Sequence, residues 1–275
     1  MSKVISFGDS FVAGLGTDRI EEDKFLKGRP DWDTLSHDRK IFQRELCSQF
    51  RRNNSFTKFF AKELGLDWIN NGSIGCDNKT ILNSIFQHQF ENGFEKGDIV
   101  LIGFTSSLRD RPSWLPEIIT QNTFNGVSFS FGELFRYMNN KQMLVWKDRS
   151  WEKNYDKFTK SYFKRFVMEF WDDRYYDINN VWMISIIQHF LEFHKVKYIM
   201  FDAFDIMISN ENKYLNNKCY WKVGQSTIHD FLKDFGDEDL LELDGYNMND
   251  AKKHPSKKGH KVFAKELLRF YNEIY

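Results

Sequence analysis

Cysteine is scarce in this chain. Its 275 residues hold three, Cys47, Cys76 and Cys219, far apart and without metal-ligand spacing. They read as free thiols of a reducing compartment. Net charge is lacking too, because 39 Lys and Arg balance 39 Asp and Glu. Nucleic-acid affinity is built largely from excess cations, so a broad phosphate-binding surface is not expected. No apolar run approaches the roughly 18 residues of a membrane span. The polar Gly8-Asp9-Ser10 arrives before any long apolar run, so residues 1–10 do not read as a signal peptide. The expected location is cytoplasmic, with later release, for instance by lysis, left open. There is no repeat and no low-complexity tract.

Aromatic residues, by contrast, are plentiful. The 28 Phe, 11 Tyr and 8 Trp, within a hydrophobic fraction of 41%, can fill the core of one large α/β domain. Val4-Ile5-Ser6-Phe7 reads as a buried first strand opening into Gly8-Asp9-Ser10. Residues 17–54 are charged and read as an irregular surface insertion. Ser55 is placed to cap a helix through about Leu64, and Gly65 stops it. Asp67–Asn70 reads as a short strand and Lys79–Phe90 as a helix. Ile99-Val100-Leu101-Ile102 and Tyr198-Ile199-Met200-Phe201 are unbroken apolar runs, the pattern of parallel strands buried on both faces. Helical periodicity covers 178–194 and 226–235, Leu240–Leu243 reads as a strand, and Lys257–Tyr271 as the last helix. Strands alternating with helices predict an open parallel sheet covered on both faces, with ligands at its carboxyl edge. Residues 110–177 break the rhythm. They carry Trp114, Trp146, Trp151, Trp171 and several Tyr, and read as an insertion or lid within a single domain over 1–275.

Ser10 sits at the carboxyl end of the first strand, where the preceding Gly-Asp permits a sharp turn. Serine alone is a weak nucleophile and needs a base within hydrogen-bond reach. A base is offered by His254-Pro255-Ser256-Lys257-Lys258-Gly259-His260. There Pro255 fixes the loop, Ser256 caps the last helix, and His254 is left outside it. His260 falls inside the helix and reads as a packing or capping residue. Asp9 and Asn70 read as organisers of their loops, and Asn78 as a cap for the helix that follows. The lysines around His254 read as a solvated face.

These residues resemble the blocks of the SGNH/GDSL hydrolases. Gly8-Asp9-Ser10-Phe11 is similar to the first block and His254-Pro255 with Gly259-His260 to the last. Asn70-Asn71-Gly72-Ser73-Ile74-Gly75 is similar to the second. The resemblance implies an α/β, flavodoxin-like three-layer fold and an esterase that needs no cofactor. It further implies Ser10 as nucleophile, His254 as base, and the Ser10 and Gly75 amides as oxyanion donors. The resemblance spans lipases, thioesterases and carbohydrate acetylesterases and does not choose among them; the substrate read here is a small-molecule or carbohydrate ester, with a lean to O-acetyl carbohydrate. No long exposed apolar helix suggests a lipid. Oligomeric state is left open.

Two departures bear on chemistry. The third block, normally Gly-x-Asn-Asp, is Gly103-Phe104-Thr105-Ser106, so Thr105 stands where the family has its oxyanion asparagine. Loss of one such donor costs roughly 10²–10³ in rate. Arg109 is a candidate replacement, set against a surface pairing with Asp110. The aspartate usually found three residues before the histidine is Ala251 here, and Asp250 lies one residue further back. Either Asp250 orients His254 or the pair works as a dyad. The competing classes are a non-hydrolytic carbohydrate-binding protein on the same fold and a structural component of an assembly.

Overall fold

The computed structural model describes residues 2–17, 37–74, 76–105, 109–110, 129–130, 173–203, 206–208, 212–242 and 254–275. In chain order these form β1 (Lys3–Gly8), α1 (Ser10–Ala13), α2 (His37–Asn53), α3 (Phe56–Leu64), β2 (Asp67–Gly72), α4 (Asn78–Glu91) and β3 (Ile99–Phe104). Then come β4 (Arg109–Asp110), β5 (Phe129–Ser130), α5 (Asp173–Phe193), β6 (Lys197–Asp202), α6 (Ile228–Asp234), β7 (Leu241–Glu242), β8 (His254–Pro255) and α7 (Lys257–Ile274). The main sheet is parallel, in the order β2-β1-β3-β6. That is the flavodoxin-like order, whose direction reverses between β1 and β3. The crevice at the carboxyl ends of those two strands is therefore the topological switch point, and Ser10 follows β1 directly.

The apolar runs explain the three layers. Successive strand residues point to opposite faces. Ile5, Phe7, Val100, Ile102 and Met200 pack against Ile81 and Ile85 of α4 and Ile184 and Leu191 of α5. Val4, Leu101, Ile199 and Phe201 pack against Phe56 and Phe60 of α3 and Phe263 and Leu267 of α7. Phe263 meets Phe56 and Phe201 edge to face, each at 5.3 Å between ring centroids. Such pairs add about 0.5–1.5 kcal/mol beyond area burial. The carboxyl edge is shaped by glycine. Gly72, Gly8 and Gly103 are in register across β2, β1 and β3. α1 rests on this row, since a Cβ at Gly8 would come within 2.2 Å of Val12 Cγ2 and one at Gly72 within 2.4 Å of the Ala13 nitrogen.

Several expectations need correction. The charged stretch 17–54 is not irregular throughout, because α2 occupies its second half. There Cys47 is buried while Glu45 and Leu46 are exposed, so the apolar line is too thin to read as a period. The strand expected at 240–243 is shortened to β7 and does not join the main sheet. It pairs antiparallel with β8, matching Glu242 to His254 and Leu241 to Pro255. Tyr220 instead bridges Met200 at the sheet edge. On α5, Ile178, Trp182, Ile186 and Phe193 are exposed, alongside the exposed Asn179, His189 and Glu192. No helix among the described residues is long and apolar enough to cross a membrane. The inserted stretch 110–177 lies almost wholly outside the described residues.

Candidate active site

Ser10 opens α1, with Asp9 as its N-cap. Asp9 Oδ1 accepts from the Phe11 amide at 2.9 Å, which accounts for Asp9 as a structural residue. The first amides of a helix have no acceptor inside it. Asp9 takes that of Phe11, and the Ser10 amide is the next at the same edge. Asn70 locks the other end of α1. Its Nδ2 donates to the Val12 carbonyl at 2.7 Å and to Ser55 Oγ at 2.8 Å, while its Oδ1 accepts from the Gly72 amide. Asn70 is thus consumed by the scaffold.

His254 arrives from the far end of the chain. Its Nε2 lies 2.9 Å from Ser10 Oγ, across 244 residues of sequence, and both side chains are buried. The backbone around it is pinned on both sides. β8 pairs with β7, the Ser256 amide donates to the Leu240 carbonyl, and Ser256 Oγ donates to the Asp239 carbonyl at 2.5 Å. Ser256 Oγ also accepts from the Gly259 amide as the N-cap of α7. Gly16, at φ +97°, lets the 14–17 turn close on this segment, since a Cβ there would meet the Pro255 oxygen at 2.7 Å. Phe11 lies against the imidazole, with 4.8 Å between ring centroids and 39° between planes.

His260, six residues on, serves the frame. It is fully buried, and its Nδ1 accepts from the Phe56 amide at 3.2 Å. Ser55 stands at the N-cap of α3 but makes no capping bond with its side chain, so the histidine of α7 does that work. Burial, with the neighbouring His254 adding to it, pushes the His260 imidazole down to about 3. It therefore stays neutral at ordinary pH, with its proton on Nε2.

The third-block corner differs from the sequence reading. Asp77, not Asn78, caps α4, accepting from the Thr80 amide at 2.7 Å. Asn78 turns to β3 instead. Its Oδ1 accepts from the Thr105 amide at 2.9 Å and its Nδ2 donates to the Thr105 carbonyl at 3.1 Å. Thr105 is fully buried. Its amide is engaged, so any oxyanion bond from this residue must come from the hydroxyl. Arg109 is placed only as backbone, in β4 opposite Ser130 of β5. Gly75 and Asp250 lie outside the described residues. Cys76 is buried, with Sγ 3.4 Å from the Gly8 carbonyl. Of the expected site residues, the structure brings together Ser10 and His254. Sequence reasoning missed Gly16, the wall formed by Phe11 and the Asn78 clamp. The first two sit inside or beside the first block and were legible only as motif letters.

A cavity of about 380 Å³ lined by Glu192, Lys197, Tyr198, Asn216 and Tyr275 lies at the amino end of β6, away from this edge. Among the described residues no group of His, Cys, Asp and Glu is arranged to hold a metal.

No family model and no curated protein matches the chain. Among solved structures it is similar to an acetyl xylan esterase from the rumen bacterium Butyrivibrio proteoclasticus, at TM-score 0.42 and 14% identity over 99% of this chain and 63% of that one. It is similar to a carbohydrate esterase described as having divergent catalytic and non-catalytic binding functions, at TM-score 0.38 and 14% identity over 99% and 65%. It is also similar to a member of the lipolytic protein G-D-S-L family from Veillonella parvula DSM 2008, at TM-score 0.34 and 10% identity over 99% of both chains. Likenesses this distant transfer no activity, and the chemistry rests on the residues described above.

Proposed function

We propose that this chain is a serine esterase in which Ser10 attacks an ester carbonyl and His254 takes its proton. The observation that carries this reading is the 2.9 Å contact between Ser10 Oγ and His254 Nε2 at the sheet's switch point. A serine hydroxyl that donates to Nε2 requires the imidazole proton on Nδ1, and Asp250 is the residue proposed to hold that tautomer. The tetrahedral oxyanion is stabilised by the Ser10 and Gly75 amides, with the Thr105 hydroxyl or Arg109 as third donor. The alcohol leaves with the proton from His254. Water then attacks the acyl-enzyme, losing its proton to His254; the acyl–Oγ bond breaks, His254 returns the proton to Ser10 Oγ, and the acid is released. Residues 110–177 form an insertion in a single hydrolase domain over 1–275. The proposed substrate is a small ester, with O-acetyl carbohydrate as the first choice.

The test is a panel running from acetylated sugars to long-chain acyl esters. Wild type is expected to turn over at least one member, Asp250→Ala to retain reduced activity, and Ser10→Ala to lose it. Full activity in Ser10→Ala overturns the reading. Tight sugar binding without turnover by wild type favours the binding protein.

A further inference from the structure

We propose that Phe11 is a positioning residue for the base: its ring packs against the His254 imidazole and limits its plane to one in which Nε2 meets Ser10 Oγ. The inference rests on the esterase reading for its kinetic consequence, and on geometry alone for its structural one.

The Ser10 contact by itself leaves the imidazole able to turn about its side-chain torsions. Nothing in the Ser10 contact fixes the ring plane. Phe11 supplies a flat surface at 4.8 Å and 39° from that ring. The surface is itself immobile. Phe11 is fully buried, in the same cluster as Val4, Phe56, Phe201 and Phe263. Its amide is capped by Asp9, its helix is seated on the glycine row, and Asn70 holds the Val12 carbonyl. Gly16 closes on the backbone of this segment, where a Cβ would meet His254 Cβ at 3.0 Å. The nucleophile and the wall against the base are thus consecutive residues of one short helix. Any shift of α1 moves both together and preserves their relation. A reacting group supported by packed neighbours keeps the alignment that proton transfer needs, and small misplacements are costly in rate.

The test compares Phe11→Leu with Phe60→Leu. Phe60 belongs to the same apolar cluster and sits on α3. Both variants lose a buried ring, so general loosening of the core affects them alike. Imidazole ¹⁵N spectra at pH 8 and steady-state kinetics on the best ester of the panel are the readouts. Wild type and Phe60→Leu are expected to show His254 as the single Nδ1–H tautomer with the same kcat. Phe11→Leu is expected to show mixed tautomers, and kcat about tenfold lower with KM unchanged. Phe11→Met takes its place if the leucine variant does not fold. A Phe11 variant that matches Phe60→Leu in both tautomer and kcat overturns the proposal. If wild type hydrolyses no ester, the esterase reading fails, while the tautomer comparison still decides the role of Phe11.

Discussion

At the end of β1 the polar side chain reaches across the molecule, while at the end of β3 polar groups are spent on holding backbone. Ser10 meets His254 from the opposite end of the chain. Asp9 and Asn70 hold the backbone nearby. At the neighbouring corner Asn78 is committed to both backbone groups of Thr105, and Thr105 is fully buried. The two corners share one sheet edge and one row of glycines. Their difference shows that two corners of one sheet edge spend their polar side chains differently, one on a side-chain partner and one on backbone. The backbone of residue 105 is held in place from α4, whatever side chain it carries.

That contrast can be broken from the Asn78 side first. Asn78→Ala removes the partner of a buried amide and of a buried carbonyl. The expected cost is about 2–6 kcal/mol, read as a lower urea midpoint, because each of the two unsatisfied groups costs about 1–3 kcal/mol. A midpoint equal to wild type would mean that the clamp contributes nothing. Next comes Thr105→Val, which deletes the hydroxyl and keeps the shape. If that hydroxyl is the third donor, kcat falls roughly 10²-fold with KM unchanged. An unchanged kcat passes the role to Arg109, and Arg109→Ala then carries the loss.

The smallest effect concerns pH. The folded His260 titrates near 3, below its unfolded value of about 6.5, so between those values the unfolded chain binds the extra proton. Stability is therefore fully present above about pH 6.5 and falls on acidification, by up to about 1.4 kcal/mol per pH unit from this group. His88, also lowered by burial, acts in the same direction. Urea midpoints at pH 7 and pH 5 should drop less in His260→Asn, which keeps an acceptor for the Phe56 amide, than in wild type. Equal drops would show that His260 is not the sensing group.

Local signals carried much of the fold. The unbroken runs at 99–102 and 198–201 became β3 and β6, and Ser256 capped the last helix as its place before Lys257 implied. The thin apolar line of α2 did not carry its signal. In the site, Ser10 and His254 were legible because strand ends and Pro-fixed loops have local sequence marks. The Asn78 clamp spans 27 residues and the His260 cap of α3 spans 204. Such contacts depend on which elements become neighbours, and no local pattern encodes that. Phe11 was visible as a letter of the first block, but its second role needs the position of His254.

The central claim is that Ser10 is activated by His254, and a serine-directed phosphonate tests it most directly. Wild type should form a single covalent adduct, located on Ser10 by peptide mass mapping, with labelling abolished in Ser10→Ala and strongly slowed in His254→Ala. An unlabelled wild type, or an adduct that forms equally fast in His254→Ala, would contradict it.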